Sequence, residues 1–176
     1  MSEEDLNARH KAKMQKIKAA RDRMMAEKKR EKKGLVIVHT GNGKGKSSSA
    51  FGTMARSLGH QKRAAVIQFI KGRKETGEQL FFASHPNVEF HVMGHGFTWE
   101  TRDPELEKTA AEQAWQQALI YLQDPNIDFV LLDEITYMYK YGHLEVADLI
   151  AALNTRPNHQ NVMMTGRTAP RELMEM

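Results

Sequence analysis

The sequence predicts an α/β domain built on a mainly parallel sheet and preceded by a basic helical arm. Three observations carry this. From residue 34 onward, short β-branched runs alternate with longer stretches of helical periodicity, the pattern of strands joined by helical crossovers. The first of these runs opens into a glycine-rich loop and then a helix. Charge also divides the chain: residues 1–33 hold 12 Lys and Arg against 6 Asp and Glu, whereas residues 34–176 hold 14 against 16. The net charge of +4 and the pI near 9.3 therefore belong to the arm. A chain of 176 residues, 40% of them hydrophobic, supplies one sizeable core, and the mean hydropathy of −0.60 reflects the polar arm.

In the arm, Leu6, Met14, Ile17, Ala20 and Met24 recur near helical spacing, a thin stripe on a highly charged helix that Gly34 ends. Such a helix is marginal alone and is expected to order by packing on something. Residues 35–38 form a short β-branched run of the buried parallel-strand kind, followed by a loop over 40–45. The spacing then predicts a helix over 46–58 burying Ala50, Phe51, Met54, Ala55 and Leu58. Strands follow at 64–70 and 88–92. A long helix carries Leu106, Ala110, Ala114, Ala118 and Leu122 and closes at Asp124-Pro125. Residues 129–132 read as another buried strand, 145–153 as a helix and 161–164 as a last strand. The expected division is an arm over 1–33 and one α/β domain over 34–176.

Composition excludes several classes of chemistry. With no cysteine, the chain has no disulfide framework, no thiol nucleophile and no cysteine-ligated zinc or iron–sulfur site. No apolar run approaches the ~20 residues that span a bilayer, and the start Met1-Ser2-Glu3-Glu4-Asp5 lacks the apolar stretch of a secretory signal. The expectation is a soluble, cytoplasmic protein.

The sharpest local signal is Thr40-Gly41-Asn42-Gly43-Lys44-Gly45-Lys46-Ser47-Ser48 between a strand and a helix. The phosphate-loop consensus is G-x-x-x-x-G-K-[ST]. Gly45-Lys46-Ser47 fits its end, but Thr40 stands where its first glycine belongs, so the loop starting at Gly41 is one residue short. Its glycines let backbone N–H groups reach phosphate oxygens, and the helix N-terminus adds a favourable dipole. Lys46 brings a point charge and Ser47 a hydroxyl suited to Mg²⁺. The strand 129–132 then runs into Asp133-Glu134, as a Walker B strand does, and one carboxylate suits a magnesium ion directly or through water. These pieces leave two mechanisms open: hydrolysis with Glu134 orienting water, or transfer of the nucleoside with triphosphate as leaving group.

A further segment, Gly96-Phe97-Thr98-Trp99-Glu100-Thr101, sets two large rings two residues apart in a connection. Such rings either cap the core or form an apolar platform for a flat ligand. Taken in order, Gly41 to Ser47, Gln68-Phe69-Ile70-Lys71-Gly72, this aromatic segment, Leu132-Asp133-Glu134-Ile135-Thr136-Tyr137 and Thr165-Gly166-Arg167 resemble the ATP:corrinoid adenosyltransferase family over residues 34–176. The basic arm also resembles that family's variable N-terminal extension.

The resemblance implies a RecA-like P-loop fold, usually a homodimer, and transfer of the 5′-deoxyadenosyl group of ATP to the Co(I) of a reduced corrinoid with release of inorganic triphosphate. It implies that the short loop holds ATP reversed relative to ordinary P-loop enzymes. Gly41, Asn42, Gly43, Lys44, Gly45, Lys46, Ser47, Ser48 and Arg167 would then bind ATP. Ser47, Glu134 and Asp133 would face Mg²⁺ or Mn²⁺, with Lys46 and Glu134 the catalytic pair. Phe97 and Trp99 resemble the residues that fill the corrinoid's lower face and keep an axial base off cobalt. The arm would close over the corrinoid, and the electron would come from a flavodoxin-type donor. Two departures stand out: Ser47-Ser48 replaces the family's usual Thr-Thr, and the chain stops at Met176 where relatives continue with a C-terminal segment.

Other residues read more plainly. His91 and His95 span a strand end and a glycine loop, so they are not a metal pair; His39 reads as structural or as a neighbour of the loop. Tyr137, Tyr139 and Tyr141 read as wall-lining rings, and Met14, Met24 and Met25 as adaptable packing. The Lys/Arg run over 28–33 reads as a solvated tail, so a nucleic-acid-binding module gripping phosphate through its arm is the weaker alternative, beside a P-loop ATPase.

Overall fold

Runs rich in Val, Ile, Leu and Met become the strands of one parallel sheet because both faces are covered by helices. In the computed structural model, which describes residues 3–28, 31–70, 74–93 and 104–176, five strands pair in the order β1-β5-β4-β2-β3. They are β1 (Val36–His39), β2 (Ala64–Gln68), β3 (Val88–Val92), β4 (Phe129–Asp133) and β5 (Asn161–Thr165). Every pairing is parallel, with Gln68 opposite Asp133 between β2 and β4, and Leu132 opposite Met164 between β4 and β5.

The helices of this unit are α2 (Lys46–Gly59), α3 (Gly77–Phe82), α4 (Pro104–Gln123), α5 (Thr136–Lys140), α6 (Val146–Thr155) and α7 (Arg171–Met174). Strand alternation sorts the core into two layers. Val66, Leu131 and Met163 face α2 and α3, where they meet Ala50, Phe51, Met54, Leu58 and Phe82. Ile67, Leu132 and Met164 face the other way, toward Ala111, Trp115, Ala118 and Leu122 of α4, Leu149 and Leu153 of α6, and Leu173 of α7.

Some bounds and burials differ from expectation. β2 stops at Gln68, two residues early, and the chain bends through Phe69, whose N–H donates to the Asp133 carbonyl (3.0 Å). Ala55 is exposed, because α2 meets the sheet through the narrow stripe Ala50, Met54, Leu58 plus Phe51. In α4 full burial begins only at Ala111, leaving Leu106 56% exposed. The short helices α3 and α5 were not anticipated, since five or six residues are too few to show a helical period.

The chain divides into two units, Met1–Lys32 and Lys33–Met176. The first holds α1 (Glu3–Glu27), a 25-residue helix with Glu3, Glu4 and Asp5 in its first turn, where negative charge offsets the helix dipole. None of its residues is buried; Leu6, Met14, Ile17 and Met24 are each about half exposed. No helix among the described residues is long and apolar enough to cross a membrane.

Candidate active site

The C-terminal ends of β1, β2, β4 and β5 meet in one place, as expected for a ligand crevice in an open parallel sheet. The loop after β1 forms its first wall. Gly41 and Gly45 take φ of +118° and +96°, a left-handed backbone that glycine adopts without a Cβ penalty. Lys46, the first residue of α2, is only 8% exposed. Its Nζ donates to the Gly41 carbonyl at 2.8 Å and to the Gly43 carbonyl, so the loop curls around the ammonium. Gly45 caps α2 without a side-chain acceptor, which leaves the first-turn N–H groups for an incoming anion. Asn42, Gly43, Lys44 and Ser48 are exposed and Ser47 is half-buried.

Thr40 explains how a loop without the usual first glycine is held. Its hydroxyl donates to the Arg167 carbonyl (3.0 Å) and accepts from the Ala169 N–H (3.2 Å), while the Gly41 N–H donates to the Arg167 carbonyl (3.3 Å). The segment after β5 is thereby strapped to the phosphate loop, bringing exposed Arg167 to its rim. Gly166 allows the approach: its φ is +145°, and a Cβ there would lie 1.7 Å from Thr136 Oγ1.

The ends of β2, β4 and β5 form the second wall. Asp133 is 4% exposed, and its carboxylate accepts from Gln68 Nε2 at 3.0 Å and from Thr165 Oγ1 at 2.7 Å. The Thr165 hydroxyl also accepts the Glu134 N–H at 2.8 Å. Glu134 itself has φ of +60°, a left-handed conformation that costs a non-glycine residue roughly 1–2 kcal/mol. Its Oε2 is buried without a hydrogen-bond partner. Burial first, then the Asp133 charge, push its carboxyl above the ordinary glutamate range, with Lys46 and Arg167 pulling the other way.

Between these walls lies a cleft of about 360 Å³, lined among others by Ser47, Gln68, Thr76, Asp133, Glu134 and Tyr137. Tyr137 stacks on Tyr141 with centroids 6.0 Å apart, and Lys140 Nζ lies 5.9 and 5.6 Å from the two rings. A larger groove of about 870 Å³ between α4 and α6 contains none of the phosphate-loop or β4 carboxylate residues. Among the described residues no group of three or more His, Asp or Glu is placed to hold a metal. Magnesium is bound through one or two protein oxygens plus phosphates and water. A buried carboxylate oxygen lacking a partner, in one cleft with a serine hydroxyl, is a hard-oxygen donor set of that kind.

The phosphate loop, Asp133, Glu134 and Arg167 are thus gathered at the C-terminal end of the sheet, while Phe97 and Trp99 lie outside the described residues, as do Lys71 and Gly72. His91 bonds Tyr121 through Nε2 (2.7 Å to the hydroxyl). Sequence reasoning missed Thr40, Gln68 and Thr165 as site residues. For Gln68 and Thr165 the signal is polarity at strand positions where the neighbouring strand residues are apolar; Thr40 lies just past β1, where the phosphate-loop consensus has its first glycine.

Comparison with known proteins bears on what the cleft handles. Residues 32–176 match the family model described as "ATP:corrinoid adenosyltransferase BtuR/CobO/CobP", and residues 1–25 match "Cob(I)alamin adenosyltransferase N terminal". The chain is 46% identical over 168 residues to a corrinoid adenosyltransferase of Pseudomonas aeruginosa, covering 95% of this chain and 82% of the relative. It is 45% identical to the corrinoid adenosyltransferase CobA of Salmonella typhimurium and 44% identical to that of Escherichia coli K12, each over 168 residues, 96% of this chain and 85% of the relative.

Proposed function

This chain belongs to the ATP:corrinoid adenosyltransferase family, and we propose that it transfers the 5′-deoxyadenosyl group of ATP to the Co(I) of a reduced corrinoid in the cleft described above. Cobalt(I) is itself a strong nucleophile, so no general base is required. A Co–C5′ bond forms as the C5′–O bond breaks, and inorganic triphosphate leaves with the bonding electron pair. The protein aligns cobalt with C5′ and stabilises charge on the departing triphosphate.

The observation that carries this reading is the unpartnered, buried Glu134 oxygen sharing a cleft with Ser47 at the head of the phosphate-loop helix. Gly41 to Ser48 cradle the triphosphate through backbone N–H groups, with Lys46, Lys44 and Arg167 as cations. Ser47 and Glu134 hold Mg²⁺ or Mn²⁺, which when bound neutralises triphosphate charge. Asp133, engaged by Gln68 and Thr165, adds its charge from behind them. The short loop is read as holding ATP reversed, its 5′ carbon toward the corrinoid.

Phe97 and Trp99 are assigned to the lower corrinoid face, where rings without a lone pair to offer cobalt favour reduction of Co(II) to Co(I). The arm covers the corrinoid. The chain has no cysteine to hold an iron–sulfur cluster, and a flavodoxin-type donor brings the electron. A homodimer working in the cytoplasm, where ATP and such donors meet, completes the proposal.

The test is anaerobic incubation with chemically reduced cob(I)alamin, ATP and Mg²⁺, assayed for light-sensitive alkylcobalamin and for the phosphate product. Adenosylcobalamin with inorganic triphosphate is expected. ADP and orthophosphate without alkylation would replace this reading with a hydrolase.

A further inference from the structure

Across the α2-facing side of the sheet, the row Val66, Leu131, Met163 is followed one strand repeat later by Gln68, Asp133, Thr165. The second row is as buried as the first, at 8%, 4% and 0% exposure. Aliphatic side chains would fill these positions without the desolvation that three buried polar groups incur. The hydrogen bonds show what the polar row holds. The single Thr165 hydroxyl proton goes to Asp133 Oδ1 (2.7 Å), so an oxygen lone pair is left facing the Glu134 N–H, which it accepts at 2.8 Å. Asp133 cannot turn away, because Gln68 Nε2 holds its other oxygen (3.0 Å). The chain reaches Glu134 with φ of +60°, a conformation that persists only where the surroundings over-determine it.

We infer that Thr165 and Gln68 are positioning residues of the transfer reaction: through Asp133 and the Glu134 backbone N–H they lock Glu134 in its left-handed conformation and so aim its carboxylate at the metal beside Ser47. This rests on the proposed metal role of Glu134. Removing the Thr165 hydroxyl strips the Glu134 N–H of its acceptor and Asp133 of a donor, which frees the backbone to relax and the carboxylate to swing out of the cleft. The phosphate loop is held by other hydrogen bonds, those of the Lys46 ammonium and the Thr40 hydroxyl, neither of which uses a side chain of this row.

The experiment measures ATP affinity of the full chain by calorimetry with Mn²⁺ and again with EDTA, the ratio giving the gain due to the metal. Thr165→Val, which keeps the shape, should lose about 10-fold of that gain, in line with the cost of removing an outer-shell partner of a metal ligand. Its metal-free ATP affinity should stay at the unmodified level, which general unfolding or loop damage would not allow. Thr165→Ser should restore most of the gain. Glu134→Gln serves as the benchmark. If it loses the gain and Thr165→Val does not, the positioning role is overturned alone; if Glu134→Gln keeps the gain, the metal role of Glu134 falls and takes the inference with it. Equal losses in Thr165→Val and Thr165→Ser would also overturn it, since the hydroxyl would not be responsible. Should Thr165→Val fail to fold, Gln68→Met carries the same test: a reduced gain supports the inference, and an unchanged one overturns it.

Discussion

Lys46 shows how one side chain joins structure to chemistry. Its ammonium sits inside the loop on the carbonyls of Gly41 and Gly43, so it organises the loop, and in the proposed function it would meet the triphosphate from the same position. Lys46→Ala removes both the charge and the loop's internal anchor; transfer from ATP to cob(I)alamin should fall by at least about 10²-fold, the scale of losing one preorganised stabilising group. Gly166 is constrained differently. A methyl group there would meet Thr136 Oγ1 at 1.7 Å, on a backbone that L-residues rarely adopt. Gly166→Ala should destabilise the protein by about 1–3 kcal/mol, read by urea denaturation. Because the Arg167 carbonyl straps the phosphate loop, the same variant should also weaken metal-free ATP binding.

At the scale of elements, the parallel strands were the most legible part of the sequence. Continuous apolar runs such as 129–132 have no other way to bury both faces. Strand alternation also carried a message that apolar runs alone do not: Gln68 and Thr165 are polar at α2-facing positions, and there the sheet reaches the candidate site. The pairing of β3 with α4 supplies a pH signature. Burial of His91, opposed by the Glu89 charge, lowers its pKa below the ordinary histidine value of 6.5. In the folded state it stays neutral where the unfolded chain already takes up a proton. The associated stability is therefore complete above pH 6.5 and declines as pH falls through that value toward the lower folded one. His91→Gln should flatten this part of the stability-against-pH curve, measured as urea midpoints between pH 7.5 and 5, roughly spanning the histidine transition. An unchanged slope would place the titration elsewhere.

On the scale of the whole molecule, the charge boundary near residue 33 matches a change of architecture: an exposed helix of 25 residues before it, a sheet with two packed layers after it. The body carries both core layers within Lys33–Met176, so removing residues 1–32 should leave its thermal unfolding midpoint unchanged. If the arm covers the corrinoid, the truncated protein should keep metal-supported ATP affinity and show a raised KM for cob(I)alamin. Equal losses in both would assign the arm to the nucleotide instead. Trp99→Ala tests the other half of corrinoid handling. It should impair reaction starting from Co(II) corrinoid with a reductant far more than reaction from pre-reduced Co(I), and equal losses would remove the lower-face role.

By itself the sequence determined the fold class, the order of the strands and of the longer helices, and the segments that carry the glycine-rich loop and the two carboxylates after β4. These are properties of contiguous residues: hydrophobic period, glycine spacing and polarity at a strand end are all local. Tertiary structure decided which residues from distant segments share the site. Thr40 meets Arg167 and Ala169, Gln68 meets Asp133, and Thr165 meets both Asp133 and the Glu134 N–H, across separations of 31 to 129 residues. Such contacts depend on strand order, which places β4 between β2 and β5. The left-handed turn at Glu134 is likewise invisible locally, because an ordinary glutamate adopts it only where neighbouring strands hold its backbone in place.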